Sequence, residues 1–435
     1  MSDQRIIEVV ADWLELEGPT LMGRLRATPT RGKEVFAFEY DEAWLASSSR
    51  QQLDPSMALY SGPQYPSTRR DNFGVFLDSS PDRWGRVLMR RREAQLSRAE
   101  GRSERRLLES DYLLGVHDGH RMGALRFRVE GRFLDDNDDL ASPPWTSLRE
   151  LEHASLQLER DDAESDAEYG RWLRMLIAPG GSLGGARPKA SVRDERGRLW
   201  IAKFPSRADE EDVGAWECVV HALAQRAGVV VPPAEVRRFG TNRGGRGGSR
   251  GHHTYLSRRF DRMHDGGRLH FASAMTLLDR MDGAGAHDDA SYVELADLLI
   301  QQGSNTMADL EQLWRRVVFS ICVSNTDDHL RNHGFMLGPM GWALAPAYDM
   351  NPNPYGAGLK LNISESDNAQ DLNLALEVAS VFRLKALRAR EIVDEVSAVV
   401  TRWRSVATSY GLARSAQDRM GQAFRVAESW CAESR

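Results

Sequence analysis

A chain of 435 residues with 41% hydrophobic content is too long for one small core, and at roughly 150 residues per domain it suggests two or three globular units. Charged residues make up 28%, the net charge is −6 and the pI is near 6.1, which excludes a whole-chain electrostatic affinity for nucleic acid and reads as a soluble, mildly acidic protein. Cys218, Cys322 and Cys431 are odd in number and far apart, so a disulfide framework or zinc cage is disfavoured and a reducing cytoplasm is expected. No apolar run approaches a membrane span, and "MSDQRIIEVVADW" lacks the basic start of a signal peptide, so neither export nor insertion is expected.

Alternating apolar and polar residues in "GRLRA" and "EVFAFEYDEAWL" predict short strands of an antiparallel sheet. "SSPDRWGRVLMRRREAQL" starts a helix around Pro81, and "ESDYLLGVHDGHRMGALRFRV" predicts helix and then strand. The acidic, proline-paired segment "EGRFLDDNDDLASPPW" marks a domain boundary, giving a strand-rich N-terminal domain over residues 1–145. A second domain over 146–265 holds the helix "ESDAEYGRWLRMLIAPGG", a Gly-rich loop, and a hairpin with strands near Lys189–Arg193 and Leu199–Phe204. After it come the helix "DVGAWECVVHALAQRAG", an extended "VVVPPAEVRRFG", a flexible Gly/Arg loop and the strand "HTYLSRRFDR". Residues 266–435 are mostly helical, through "VELADLLIQQ", "ADLEQLWRRVVFSICVSN" and one long terminal helix, "RAREIVDEVSAVVTRWRSVATSYG". The fold class expected is α+β, with a cleft between two lobes.

The densest chemistry is "SNTDDHLRNHGFML", between a buried helix and a hairpin, "GFML-GPMG-WALA", that leads to Asp349. Asp327 and Asn332 are five positions apart, the separation at which protein-kinase loops place a base and a metal-binding amide, with a second metal-binding Asp beyond a hairpin. Phosphoryl transfer explains these types, because one carboxylate takes the acceptor proton while an amide oxygen and another carboxylate hold Mg²⁺. Rival readings are a zinc site from His329 and His333, which lacks the helix Glu, an EF-hand, which lacks the alternating acids, and a structural polar turn. Upstream, Gly180, Gly181, Gly184 and Gly185 form a turn that can approach phosphate, although it is not a Walker A motif. Only five of 57 basic residues are lysine, and two of them, Lys189 and Lys203, fall in this region. Lys203 is a candidate phosphate contact and Glu217, on the next helix, its candidate partner. Their alternatives are an edge-strand lysine and a solvated helix face.

In their order, "GGSLGGARPKA", "IAKFP", "SRRFDR", "NTDDHLRNHGFML" and "LAPAYD" resemble the HipA-type serine/threonine kinase toxins of bacterial toxin–antitoxin systems. "FGVFLDSSPDRWGRVLMRR" is similar to their N-terminal subdomain, so the resemblance covers nearly the whole chain. It implies a two-lobed protein-kinase-like fold with a strand-rich accessory domain and a mainly helical C-terminal lobe. Asp327 would be the base, Asn332 and Asp349 Mg²⁺ ligands, and His329 a neighbour of ATP. Lys203 would contact the phosphates, the backbone of Leu183, Gly184, Gly185, Ala186, Arg187 and Lys189 would line the nucleotide site, and Arg258, Arg259 and Phe260 would form the adenine hinge. Ser182 matches the serine that such kinases autophosphorylate, and charge added there would repel ATP and switch the enzyme off. The resemblance further implies a protein substrate, such as an aminoacyl-tRNA synthetase, growth arrest, and a small DNA-binding, HipB-like antitoxin through which any DNA contact is indirect. A catalytically silent co-repressor and a kinase of a small hydroxylated metabolite are the alternatives. "YDM" replaces the usual DFG, no separate activation segment is evident, and Asp328 has no assigned role.

Overall fold

The computed structural model describes residues 4–133, 143–177, 185–239 and 251–433. Strand formation begins at the N-terminus: β1 (Arg5–Ala11) pairs antiparallel with β2 (Thr20–Thr30), and β2 with β3 (Lys33–Tyr40). The two-residue turn Arg31–Gly32 has left-handed φ values of 44° and 83°, the twist that suits a tight hairpin. β4 (Leu125–Val129) covers the other edge of β1, and β5 (Arg132–Phe133) completes the order β3-β2-β1-β4-β5. Phe38, Phe73, Phe76 and Phe127 meet over this sheet, with ring centroids 5.7 to 6.2 Å apart in edge-on or tilted pairs. The strand expected through "DEAWL" stops earlier, because Asp41 Oδ1 accepts the Ala43 N–H and starts a short helix, Glu42–Ala46, that buries Trp44.

Helix Arg83–Glu100 begins where Asp82 accepts the Gly85 N–H and ends at left-handed Gly101. The hairpin of Lys189–Arg193 with Leu199–Lys203 forms in the expected register. Asp194 accepts the N–H groups of Arg196 and Arg198 at its turn.

Two compact units result, Met1–Ala208 with Arg258–Met281, and Asp209–Ser257 with Asp282–Arg435. The chain passes between them after Ala208, Ser257 and Met281. The return of Arg258–Met281 to the first unit has a local cause. Arg259 donates to the carbonyls of His120 and Arg121, Arg262 to those of Arg121 and Gly123, and Asp261 accepts the Gly123 N–H at 2.9 Å. Farther along, Arg70 Nη2 donates to the carbonyls of Met275 at 2.6 Å and Arg280 at 2.7 Å.

In the second unit, helix Val213–Arg226 starts at Asp212, whose carboxylate accepts the Ala215 N–H and pairs with His253 Nδ1 at 2.6 Å. Strands Ala234–Arg237 and Thr254–Arg258 pair antiparallel. Helices Tyr292–Gln302 and Thr306–Val323 precede the hairpin Gly334–Gly338 with Gly341–Leu344. The single terminal helix expected is instead two, Ala386–Val400 and Trp403–Ser409, with a turn at Thr401–Arg402. That turn lets buried Trp403 stack on Phe424, centroids 4.4 Å apart. Among the described residues no helix is long and apolar enough to cross a membrane.

Candidate active site

Helix Thr306–Val323 is buried along most of its length and stops at Ser324, a non-glycine residue at φ 50°. Ser324 N–H returns to the Ile321 carbonyl and Asn325 N–H to that of Ser320 at 2.9 Å, closing the helix and turning the chain outward. Beyond the turn, the N–H of His329 reaches the Asp327 carbonyl at 2.9 Å, and that of Asn332 reaches His329 at 2.8 Å. The loop is therefore wound on itself, with only a three-residue 3₁₀ turn, Leu330–Asn332. His329 and His333 do not share an α-helical face, and His333 instead places Nε2 3.1 Å from Asp328 Oδ1, both side chains buried.

The two residues singled out by spacing have complementary surroundings. Asp327 is exposed, and no described residue donates to its carboxylate. Asn332 is buried, and its Nδ2 donates to the Asp327 carbonyl at 3.1 Å. That bond fixes the amide plane and leaves Oδ1 available as a ligand, since no described group donates to it.

Asp349 lies after the hairpin at φ 58°, a left-handed conformation that costs a residue with a Cβ about 1–3 kcal/mol unless its surroundings enforce it. They do so through a strap of hydrogen bonds on both sides. Tyr348 Oη donates to the Arg331 carbonyl at 2.7 Å, Asn351 N–H to Asn325 Oδ1 at 3.2 Å, and Asn353 Nδ2 to Thr326 Oγ1 at 2.7 Å. Asn351 Nδ2 also reaches Asp349 Oδ1 at 3.3 Å. Gly356 closes the strap, because a Cβ there would stand 2.2 Å from Thr326 Cγ2. Asp349 is thus tied to the loop carrying Asp327 and Asn332. The sequence signal for this strap was the Asn/Pro density of "NPNPYG", legible as a turn and not as a clamp.

Glu217 is buried on helix Val213–Arg226. The Tyr255 phenol is pushed well above its ordinary value, first by complete burial and then by the charges of Glu217 and Asp349, so both carboxylates bear on one ring. The second unit therefore holds Asp327, His329, Asn332, Asp349 and Glu217.

The other candidates belong to the first unit. Lys203 closes the strand Leu199–Lys203, half-buried. Lys189 Nζ lies 2.8 Å from Asp82 Oδ2, with the two side chains 3% and 1% exposed, and also donates to the Gly185 carbonyl at 3.3 Å. Its ammonium is thereby engaged in a buried ion pair. The Arg259 guanidinium is likewise committed, to both oxygens of Asp261 and to two carbonyls, and its N–H donates to the Leu199 carbonyl at 2.9 Å, so only its backbone carbonyl remains for a hinge. Arg258 and Phe260 flank it half-buried, and Phe260 packs at 6.1 Å from Phe271. Gly185, at φ 94°, and Ala186 are exposed and Arg187 half-buried. Ser182, Leu183 and Gly184, with Gly180 and Gly181, lie outside the described residues.

Residues 181–403 match the HipA-like C-terminal domain and residues 17–128 the HipA N-terminal domain. The chain belongs to the HipA family. A HipA chain from Shewanella oneidensis MR-1, solved with HipB and operator DNA, superposes with a TM-score of 0.65 at 17% identity, over 97% of each chain. The α+β, protein-kinase-like fold expected from the sequence is thus the HipA fold. A Haemophilus influenzae protein described as "Putative kinase" is 30% identical over 108 residues, 23% of this chain. The match spans about a third, 32%, of that curated relative's length. The Helicobacter pylori kinase CtkA gives a TM-score of 0.37 at 13% identity, over 58% of this chain and 93% of that one.

Proposed function

We propose that this HipA-family chain is an ATP- and Mg²⁺-dependent serine/threonine protein kinase and the toxin of a toxin–antitoxin pair. The observation that carries this reading is the orientation of Asn332, whose Nδ2 is anchored on the Asp327 carbonyl while Oδ1 accepts from no described group, with Asp349 strapped to the same loop. An amide oxygen and a carboxylate are hard oxygen donors suited to Mg²⁺. Mg²⁺ held there supplies charge neutralisation on the transferred phosphates.

Asp327, exposed and with no donor on its carboxylate among the described residues, accepts the proton of the acceptor hydroxyl as that oxygen attacks the γ-phosphorus. Asn332 and Asp349 orient the phosphates, and Lys203 adds an ammonium to them. Ser182 is the expected site of self-modification, and a Ser or Thr of a translation component, such as an aminoacyl-tRNA synthetase, the expected acceptor. The Shewanella complex pairs HipA with HipB and operator DNA. By that likeness a small DNA-binding, HipB-like antitoxin is the expected partner, and the net charge of −6 favours DNA contact through it.

The test is incubation of the purified chain with Mg²⁺ and γ-labelled ATP, followed by mapping of the incorporated phosphate. Label on Ser182, lost in Asp327→Ala and Asp349→Ala, is the expected result. A wild-type chain that neither labels itself nor any lysate protein, and does not bind ATP, would overturn the reading in favour of a silent binding module.

A further inference from the structure

Asp328 had no role in the chemistry above, yet it is 5% exposed and holds the most heavily partnered carboxylate of its loop. Its Oδ2 accepts from Tyr292 Oη at 2.7 Å and from Ser320 Oγ at 3.3 Å, while Oδ1 lies 3.1 Å from His333 Nε2. The partners come from different elements. Tyr292 is the first residue of helix Tyr292–Gln302, fixed by the Ser291–Glu294 capping box and by its own N–H on the Asn362 carbonyl. Ser320 sits in the last turn of helix Thr306–Val323, and His333 immediately precedes the hairpin. The His333 ring stands edge-on to Tyr292, centroids 5.6 Å apart at 88°.

Two of the residues given a chemical role are covalent neighbours of members of this cluster. Asp327 precedes Asp328, and Asn332 precedes His333. Along the loop Asp327 is exposed where Asp328 is buried, so pinning one carboxylate inward aims the other outward. A buried charge is rarely the cheapest way to stabilise a core, since apolar residues of similar volume do as well or better. A carboxylate whose Oδ2 accepts from two hydroxyls on separate helices, with an imidazole 3.1 Å from Oδ1, does, however, fix direction as well as distance.

The geometry points to Asp328 as a positioning residue that, through Tyr292, Ser320 and His333, sets where the Asp327 carboxylate and the Asn332 amide oxygen face. This rests on the kinase reading for its kinetic consequence and not for its structural one. Misplacement of reacting groups by about 1 Å costs on the order of 100-fold in rate. Binding of the nucleotide, which does not need Asp327, should be largely spared.

The experiment uses the full chain and two mild variants, Tyr292→Phe, which deletes one hydroxyl, and Asp328→Asn, which keeps shape and removes charge. Turnover in γ-phosphate transfer to casein, affinity for a fluorescent ATP analogue, and amide exchange over residues 325–333 are measured. Expected are a turnover loss of about 10- to 100-fold, nucleotide affinity held within about twofold, and faster exchange in 325–333 with helix Ala386–Val400 unchanged. Unchanged turnover and exchange in both variants would overturn the assignment. So would exchange that rises equally in Ala386–Val400, which is the mark of a merely structural residue. Should the wild-type chain transfer no phosphate to itself or to any protein and not bind the ATP analogue, the kinase reading fails, and the exchange comparison still decides whether Asp328 pins the loop.

Discussion

Asp261 and Asp328 are both almost wholly removed from water, and they are held in opposite ways. Asp261 in the first unit meets two guanidiniums and a backbone N–H, and its carboxyl is held down to about 2: burial acts to raise it, and the charges of Arg259 and Arg262 outweigh that. Asp328 in the second unit meets two hydroxyls and an imidazole. The first arrangement is charge-rich and ties distant chain segments, residues 118–123 and 258–268, so its natural consequence is stability. The second relies on hydroxyls donated by two separate helices, and the residue that precedes it in the chain, Asp327, is exposed. A buried carboxylate is thus a candidate for positioning when its partners are aimed by separate elements and its chain neighbour faces solvent.

The comparison is broken most forcefully at Asp261. Asp261→Ala leaves Arg259 and Arg262 buried without their carboxylate and should cost about 3–5 kcal/mol in urea unfolding. A loss below 1 kcal/mol would show that the carbonyls alone satisfy the two arginines. Asp327→Ala is the counterpart in the second unit: a fall of about 10²–10⁴ in turnover with no loss of thermal stability, because the side chain is exposed and bonds to nothing described.

Next in size is a pH effect centred on the first unit. His270 is buried against Trp13, ring centroids 5.6 Å apart, and burial pushes its imidazole down to about 3. The unfolded chain takes up that proton first, so stability falls as pH drops below the ordinary value of about 6.5, by about 2 kcal/mol between pH 7 and pH 5. The contribution of Asp261 has the sign of a depressed carboxylate. It is present above the ordinary value near 3.8 and lost as pH falls towards 2. Urea midpoints against pH should show the upper phase shrink in His270→Phe, leaving the part that belongs to His221, whose imidazole is also pushed down by burial, and the lower one persist. Smallest is Asp212→Ala, which removes the cap of helix Val213–Arg226 and should cost about 1 kcal/mol, read from the thermal midpoint.

Local periodicity made much of the fold legible. The hairpins at Lys189–Arg193 and Gly334–Gly338, and helices Arg83–Glu100 and Thr306–Val323, follow from alternation, caps and turn residues close in sequence. β1 escaped because its last three residues are all buried, which erases alternation. The terminal helix broke because Trp403 answers to Phe424, beyond its own window. Asp327, Asn332 and Asp349 could be singled out by residue type and spacing, and the structure ties them together. Tyr292 lies 36 positions from Asp328 and Asp82 lies 107 from Lys189, and no spacing rule connects such pairs. The expectation for Arg259 overlooked Asp261, two residues away, which claims the guanidinium before any nucleotide could.

The Lys189–Asp82 pair bears on how this sequence can drift. Arginine takes 52 of its 57 basic positions, the pattern left by a mutational pressure that converts lysine wherever the exchange is harmless. At Lys189 it is not harmless. Asp82 Oδ2 and the Gly185 carbonyl both accept from a compact ammonium, and a planar guanidinium with five donors would bring more bulk and more N–H groups into a site where the Lys189 and Asp82 side chains are 3% and 1% exposed. Position 189 is therefore expected to resist that pressure, and a Lys189→Arg variant to be purged for its effect on folding before any effect on catalysis is felt.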